Sequence, residues 1–258
     1  RCHHTGAGEQ AVDVGCSVDG RLHILPLTDA GPPAHTEVPD GVALVVSTSG
    51  STGRPKRAML TADNLRASAT ATHARLGGPG QWLLPMPPQH IAGTQVIVRS
   101  IVAGTVAVTL DSFGVDEFVQ ATGELTADRC YTSLVPTQLV RLLEAGRGAA
   151  LRRYDAILLG GAASPPALLD RAADAGVRVC TTYGMSETAG GCVYDGQPLD
   201  GTTVELDDDR ITLRGSTVAL GYLGDPKLTE QAFDGAGGFR TGDLGTFVDG
   251  RLQVLGRA

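Results

Sequence analysis

Lysine is nearly missing from this 258-residue chain: among 21 basic residues only Lys56 and Lys227 are lysines. Aromatic residues are also scarce, at 4 %, so few large rings are available for a core or a stacking platform. No apolar run approaches the ~20 residues needed to cross a bilayer, so no membrane insertion is expected. The opening Arg1-Cys2-His3-His4 lacks the apolar core of a signal peptide. Five cysteines (Cys2, Cys16, Cys130, Cys180, Cys192) are odd in number and widely spaced, and no Cys-x-x-Cys occurs. That pattern supports neither a disulfide framework nor a zinc site and fits a reducing cytoplasm. His3-His4 beside Cys2 could bind a metal adventitiously; a disordered terminus is the plainer reading. A formal charge of −7 argues against a broad nucleic-acid or anionic-membrane surface while leaving room for local positive sites.

What is abundant is glycine, with 35 residues, so loops and close backbone approaches are expected. Hydrophobic content of 42 % with 19 % charge suits one large domain or two subdomains with a sizeable core. The densest local signal is Ser47-Thr48-Ser49-Gly50-Ser51-Thr52-Gly53-Arg54-Pro55-Lys56. It follows the apolar run Val42 to Val46, which reads as a buried strand. Small residues let backbone N–H groups approach a phosphate, hydroxyls add donors, and a lysine adds a point charge. It is not a Walker A loop, because Lys56 follows Pro55 and precedes Arg57. A Ser/Gly linker is the plain alternative. Against it, the run sits between a strand and an expected helix from Asn64 to Leu76, with Thr61 or Asp63 as N-cap.

Residues 1–40 are weakly patterned, with a short strand at Arg21 to Leu25 and a Pro-rich link from Ala30 to Pro39. From 41 to 182 strands and helices alternate. Strands are expected at 82–84, 105–109, 131–134, 156–159 and 177–181. Helices are expected at 93–103, 115–123, 137–145 and 165–175. Alternation of this kind implies an α/β fold, a largely parallel sheet flanked by helices. Residues 183–258 read as a smaller antiparallel β subdomain, distorted and barrel-like. Its strands are expected at 202–206, 210–214, 218–220, 244–248 and 252–255.

Three more segments follow the Ser/Gly loop: Pro87-Pro88-Gln89-His90-Ile91-Ala92-Gly93, Tyr183-Gly184-Met185-Ser186-Glu187-Thr188 and Thr241-Gly242-Asp243. In this order the four resemble the motifs of the adenylate-forming superfamily: acyl-CoA synthetases, luciferases and peptide-synthetase adenylation domains. The resemblance covers the chain from about Val42 to its end. It implies ATP-dependent activation of a carboxylate, with ATP, Mg²⁺ and CoA as cofactors or co-substrates. It assigns Thr48, Ser49, Gly50, Ser51, Thr52, Gly53 and Lys56 to the triphosphate, and Glu187 to Mg²⁺, a hard cation that takes oxygen ligands. Thr188 is then expected near the α-phosphate. Tyr183, Gly184, Gly161 and Ala162 are assigned to the nucleotide, and Asp243 with Arg257 to the ribose. His90, Gly160 and Gly184 are assigned to the acyl pocket. Each has a plainer alternative: a core tyrosine, a capping glutamate, a turn aspartate, a surface histidine.

Arg99 interrupts the apolar stretch Val96 to Val102. If buried it needs a partner, either a carboxylate of the protein or a second carboxylate on the substrate. The segment from His90 to Gly93, with Arg99-Ser100 and Gly104-Thr105, most resembles the o-succinylbenzoate–CoA ligases of menaquinone synthesis. That resemblance implies an aromatic dicarboxylate as substrate and hints at a homodimer. Another aryl- or acyl-CoA ligase, a domain that loads a carrier protein, and a silent nucleotide-binding module are the alternatives. Family members continue through a Gly-Arg-x-Asp hinge into a small domain whose lysine contacts the acyl-adenylate. Here Lys56 lies in the loop and Lys227 in a turn, so that lysine is not expected within these residues.

Overall fold

A computed structural model describes the strands at residues 13–16 and 22–25, residues 38–48 and residues 56–258. The expected Ser49–Gly53 contacts and the His3-His4 segment lie outside the described residues. Strands β1 (Asp13–Cys16) and β2 (Leu22–Leu25) form an antiparallel pair. Strand β3 (Val42–Thr48) pairs antiparallel with β4 (Lys56–Thr61). The strand β4 was not expected: its sequence Lys-Arg-Ala-Met-Leu-Thr reads as the approach to a helix. In the fold Ala58 and Leu60 alternate inward, the period of a strand.

Helix α1 (Ala62–Leu76) starts at Thr61, whose hydroxyl accepts from the Asn64 amide at 3.0 Å while Asn64 Oδ1 accepts from the Thr61 amide at 2.9 Å. This reciprocal cap satisfies two helix-start donors and selects Thr61 over Asp63. Then follow β5 (Gln81–Leu84), α2 (Ile91–Ala103), β6 (Val108–Thr109), α3 (Val115–Gly123), β7 (Cys130–Leu134), α4 (Pro136–Glu144), α5 (Gly148–Leu151), β8 (Ala156–Leu159), α6 (Pro166–Asp174) and β9 (Val179–Met185). A 3₁₀ turn spans Ser186–Thr188, and β10 (Gly190–Tyr194) and β11 (Gln197–Pro198) follow.

The strands β6, β5, β7, β8 and β9 run parallel, and β10 and β11 add antiparallel to one edge, giving seven strands. Both faces are covered. Leu83, Leu134, Ile157 and Leu159 face a core shared with Phe118, Leu139, Leu142 and Leu168 from α3, α4 and α6. Trp82, Leu84, Tyr131, Ala156 and Leu158 face the other side, with Ala71 and Val96 from α1 and α2. Burial on both faces explains the near-continuous apolar character of these strands.

The chain continues through β12 (Thr202–Asp207), β13 (Arg210–Gly215), β14 (Gly221–Tyr222), α7 (Pro226–Ala232), β15 (Gly238–Val248) and β16 (Arg251–Arg257). Strands β12, β13, β15 and β16 form the expected antiparallel unit in that order, with register shifts at Arg210/Thr212 and Leu244/Gly245 that add local twist. Two expectations need correction. The division at 182/183 falls inside β9, and the seven-stranded sheet runs on to Pro198, because Tyr183 to Met185 keep extended pairing with β10. The strand expected at 218–220 lies instead at Gly221–Tyr222 and joins β4, giving the three-stranded sheet β14-β4-β3.

Candidate active site

Ligands in sheets of this type gather beyond the C-terminal strand ends. There the structure has a cavity of about 130 Å³. Met86 after β5, Ser133–Val135 at the end of β7, Gly160–Gly161 after β8 and Thr182 and Gly184 on β9 line one side. Helix α2 supplies Ile91, Ala92, Gln95 and Arg99. The wall at Gly184 requires glycine: its φ is +155°, and a β-carbon there would stand 2.2 Å from the Gly190 carbonyl. At the start of α2 a β-carbon on Gly93 would meet the Pro87 carbonyl at 2.3 Å. That close approach, with Thr94 Oγ1 donating to the Pro88 carbonyl at 2.7 Å, sets how the proline-rich bend enters the helix.

Arg99 is 3 % exposed. Its guanidinium donates to Tyr194 Oη at 3.3 Å and lies 4.9 Å from the Trp82 ring. Its Nε has no partner, and no carboxylate of the described residues pairs with it. Of the two expected partners, the internal carboxylate is therefore absent among the described residues. Burial lowers the guanidinium's pKa, and Tyr194 opposes that shift. Behind it His73, which accepts from Trp82 Nε1 at 3.4 Å, is lowered to about 4, first by burial and then by Arg99.

Gln95 was not singled out by sequence. It is fully buried, donates through Nε2 to the Ala189 carbonyl at 2.8 Å, and leaves Oε1 unpaired. The Ala189 carbonyl fixes which end of the amide carries the NH₂ group, so the unpaired atom is an acceptor. Gln95 lies four residues before Arg99, on the same helix face, and that spacing was the available clue. His90 is the N-cap residue of α2; its side chain is exposed, makes no capping bond and lies next to the cavity rather than in it. Gly160, Gly161 and Gly184 line the cavity as expected, whereas Ala162 is exposed and outside the lining.

A second cluster forms across the two sheets. Tyr183 Oη donates to Asp243 Oδ2 at 2.9 Å, and Arg257 Nε reaches Asp243 Oδ1 at 3.1 Å. The Asp243 amide donates to Thr241 Oγ1 at 3.1 Å, which in turn donates to the Ile211 carbonyl at 2.8 Å. Three residues assigned by resemblance are thus brought together. Burial pushes the Tyr183 phenol upward, and the neighbouring Asp243 adds to that.

A third cluster joins the ends of the Ser/Gly loop to the 3₁₀ turn. Thr48 and Lys56 are register partners in β3 and β4, so the two ends of the Ser/Gly run are held side by side. Lys56 Nζ stands 5.4 Å from the centroid of Tyr222, whose Oη donates to Glu187 Oε1 at 2.7 Å. Glu187 is 6 % exposed. Thr188 is fully buried, and its hydroxyl is engaged by the Met185 amide and the Gly190 carbonyl, at 3.0 and 2.8 Å. It holds the turn. The half-buried Ser186 in the same turn has a hydroxyl without a partner among the described residues and was not singled out by sequence. No group of three or more His, Cys, Asp or Glu side chains suits a metal ion among the described residues. Mg²⁺ keeps waters and phosphate oxygens and takes only one or two carboxylates, so Glu187 is a fitting donor for it.

The model of a family described as AMP-binding enzyme matches residues 6–223. A Mycobacterium tuberculosis protein named probable 2-succinylbenzoate–CoA ligase is 51 % identical over 230 residues, 86 % of this chain and 60 % of that protein. A Salmonella typhimurium 2-succinylbenzoate–CoA ligase is 35 % identical over 229 residues, 85 % of this chain and 48 % of that protein. The chain therefore spans about half to three-fifths of these relatives. Among solved structures, Bacillus subtilis o-succinylbenzoate CoA synthetase with its acyl-adenylate intermediate has a TM-score of 0.77 at 29 % identity, covering 84 % of this chain and 49 % of that one. The same synthetase with ATP and magnesium gives 0.76 at 27 % identity, covering 90 % and 53 %.

Proposed function

The chain belongs to the AMP-binding enzyme family, and we propose that it forms the nucleotide- and acyl-binding part of an AMP-forming o-succinylbenzoate–CoA ligase. ATP and the acid condense to an acyl-adenylate with release of pyrophosphate, and the CoA thiol then takes the acyl group as a thioester with AMP leaving. The observation that carries the choice of acid is Arg99: a buried cation with an unpaired Nε and no carboxylate partner among the described residues, in the wall of an apolar cavity. An acid with one reacting and one spare carboxylate supplies the missing partner. An unpartnered buried charge is costly, so the pocket favours an acid that brings its own counter-charge.

The other clusters take the nucleotide. The loop between Thr48 and Lys56 holds the β- and γ-phosphates, with Ser49, Gly50, Ser51, Thr52 and Gly53 supplying amides and hydroxyls. Ser186 points the same turn toward the α-phosphate, while Thr188 fixes that turn. Asp243, steadied by Tyr183 and Arg257, accepts from the ribose hydroxyls, and the Tyr183 ring and Gly161 border the base. His90 sits at the mouth of the acyl cavity. Glu187 would hold the Mg²⁺ that accompanies ATP, and that ion would supply charge neutralisation for the leaving pyrophosphate. Preorganised charges of this type act where charge develops and are typically worth ~10²-fold or more in rate each.

This reading places the enzyme in the cytoplasm, where ATP and CoA are available, and light scattering on the purified protein decides between monomer and homodimer. The test is pyrophosphate exchange over a panel of carboxylic acids. Exchange with o-succinylbenzoate well above that with benzoate or fatty acids is expected. A preference for a monocarboxylate would favour another acyl-CoA ligase. ATP binding without exchange for any acid would favour a silent nucleotide-binding module.

A further inference from the structure

The Tyr222 side chain contacts two opposite charges, a lysine at its ring and a glutamate at its hydroxyl. Lys56 Nζ lies 5.4 Å from its centroid, within reach of the ring quadrupole. Its hydroxyl donates to Glu187 Oε1 at 2.7 Å. No ion pair joins Lys56 to Glu187. The ring is held from several directions: its amide donates to Thr229 Oγ1 at 2.9 Å, Phe233 packs edge-on at 5.5 Å, and β14 pairs with β4 at Tyr222↔Ala58. Tyr222 is 3 % exposed, so the contact with Glu187 is made in a dry setting. The Glu187 backbone carbonyl is fixed as well, accepting from the Ala219 amide at 2.8 Å.

We propose that Tyr222 is a positioning residue that orients Glu187 for a divalent cation and keeps Lys56 from neutralising it. The inference rests on the proposed ATP and magnesium chemistry. A lysine paired with Glu187 would be withdrawn from the phosphates, and a paired glutamate would be a poorer metal donor. The phenol donates one hydrogen bond to the carboxylate, which fixes its plane and leaves Oε2 for the cation. Hydrogen-bond partners behind a metal ligand commonly matter 10–100-fold for metal affinity or activity.

The test is titration calorimetry of ATP with and without Mg²⁺ on the wild type, Tyr222→Phe and Tyr222→Leu, with thermal melting as a fold check. Tyr222→Phe keeps the ring beneath Lys56, so metal-free ATP affinity should stay within about twofold. The gain from Mg²⁺ should fall by about tenfold or more. Tyr222→Leu removes ring and hydroxyl, so metal-free affinity should fall too. A merely structural tyrosine would lower the melting temperature without moving the Mg²⁺ dependence. A Tyr222→Phe protein with the wild-type Mg²⁺ gain overturns the orienting role, and a Tyr222→Leu protein with unchanged metal-free affinity overturns the separation of charges. A wild type without any Mg²⁺ gain overturns the proposed function itself, and this inference with it.

Discussion

Arg99 on α2 and Asp243 on β15 are both charged side chains of the candidate site, yet they are treated in opposite ways. Asp243 is satisfied by the protein: Tyr183 donates to one oxygen, Arg257 pairs with the other, and Thr241 holds the backbone. Arg99 is deeper, has no carboxylate partner among the described residues, and leaves Nε unpaired beside a glutamine whose Oε1 is also unpaired. In the proposed reading, the nucleoside end is thus assembled before a ligand arrives, whereas the acyl end is left electrically incomplete and completing it selects the ligand. A buried polar group left unsatisfied costs free energy, so the open valence marks specificity rather than stability.

The largest expected effect comes from removing the open charge. Arg99→Met should raise the KM for o-succinylbenzoate by ~100-fold or more, since separating a buried charge from its partner costs about 3–5 kcal/mol. Its melting temperature should hold or rise, because an unpaired buried cation has gone. A strong fall in melting temperature would show that the guanidinium's contacts with Trp82 and Tyr194 are its main role. Next in size is the satisfied end. Asp243→Ala should weaken ATP binding by about 1.5–3 kcal/mol, the worth of a charged hydrogen bond, with little change in stability. Calorimetry with unchanged affinity would remove Asp243 from the ribose site.

A smaller effect should follow from making the acyl end resemble the nucleoside end. Gln95→Glu places a carboxylate one helical turn before Arg99. It should raise the KM for the dicarboxylate by on the order of tenfold or more, as an internal partner replaces the external one. An unchanged KM would mean that Gln95 does not face the bound acid. The last effect is on stability and concerns pH. His73 is held to about 4, against an ordinary value of 6.5. The unfolded chain therefore binds a proton that the folded chain refuses between those values. Stability is full above pH 6.5 and is lost progressively as pH falls toward 4. His73→Gln should flatten the melting temperature across that window; an unchanged slope would assign the acid sensitivity to other groups.

The helix at 115–123 and the strand at 156–159 were legible to the residue, because apolar period and turn residues bound them on both sides. Strand β4 was not legible, because Lys56-Arg57 reads as loop chemistry and its pairing partners β3 and β14 lie on both sides of it in sequence. The extension of β9 through Tyr183-Gly184-Met185 was hidden by a glycine at φ +155°, which reads as a break and is a close crossing with β10. In the site, motif order pointed to Tyr183, Asp243 and Arg257 separately. Their meeting depends on β16 folding back on β15, where Asp243 and Arg257 are register partners. Gln95 had only its spacing from Arg99, Ser186 only its place in the Tyr183 to Thr188 segment, and Tyr222 no signal; each matters through what the fold leaves unpaired or brings beside it. The buried state of Arg99 was foreseen as a question, and only the packing around Trp82 and Tyr194 answers which partner is missing.

The central claim is that Arg99 awaits the second carboxylate of the acid. The most direct measurement is a four-way cycle of kcat/KM in pyrophosphate exchange. Wild type and Arg99→Met are each assayed with o-succinylbenzoate and with its analogue lacking the ring carboxylate. The account predicts strong coupling: the substitution costs ~100-fold with the dicarboxylate and little with the analogue, so the two losses do not multiply. Equal losses for both acids would contradict it and return Arg99 to a structural role.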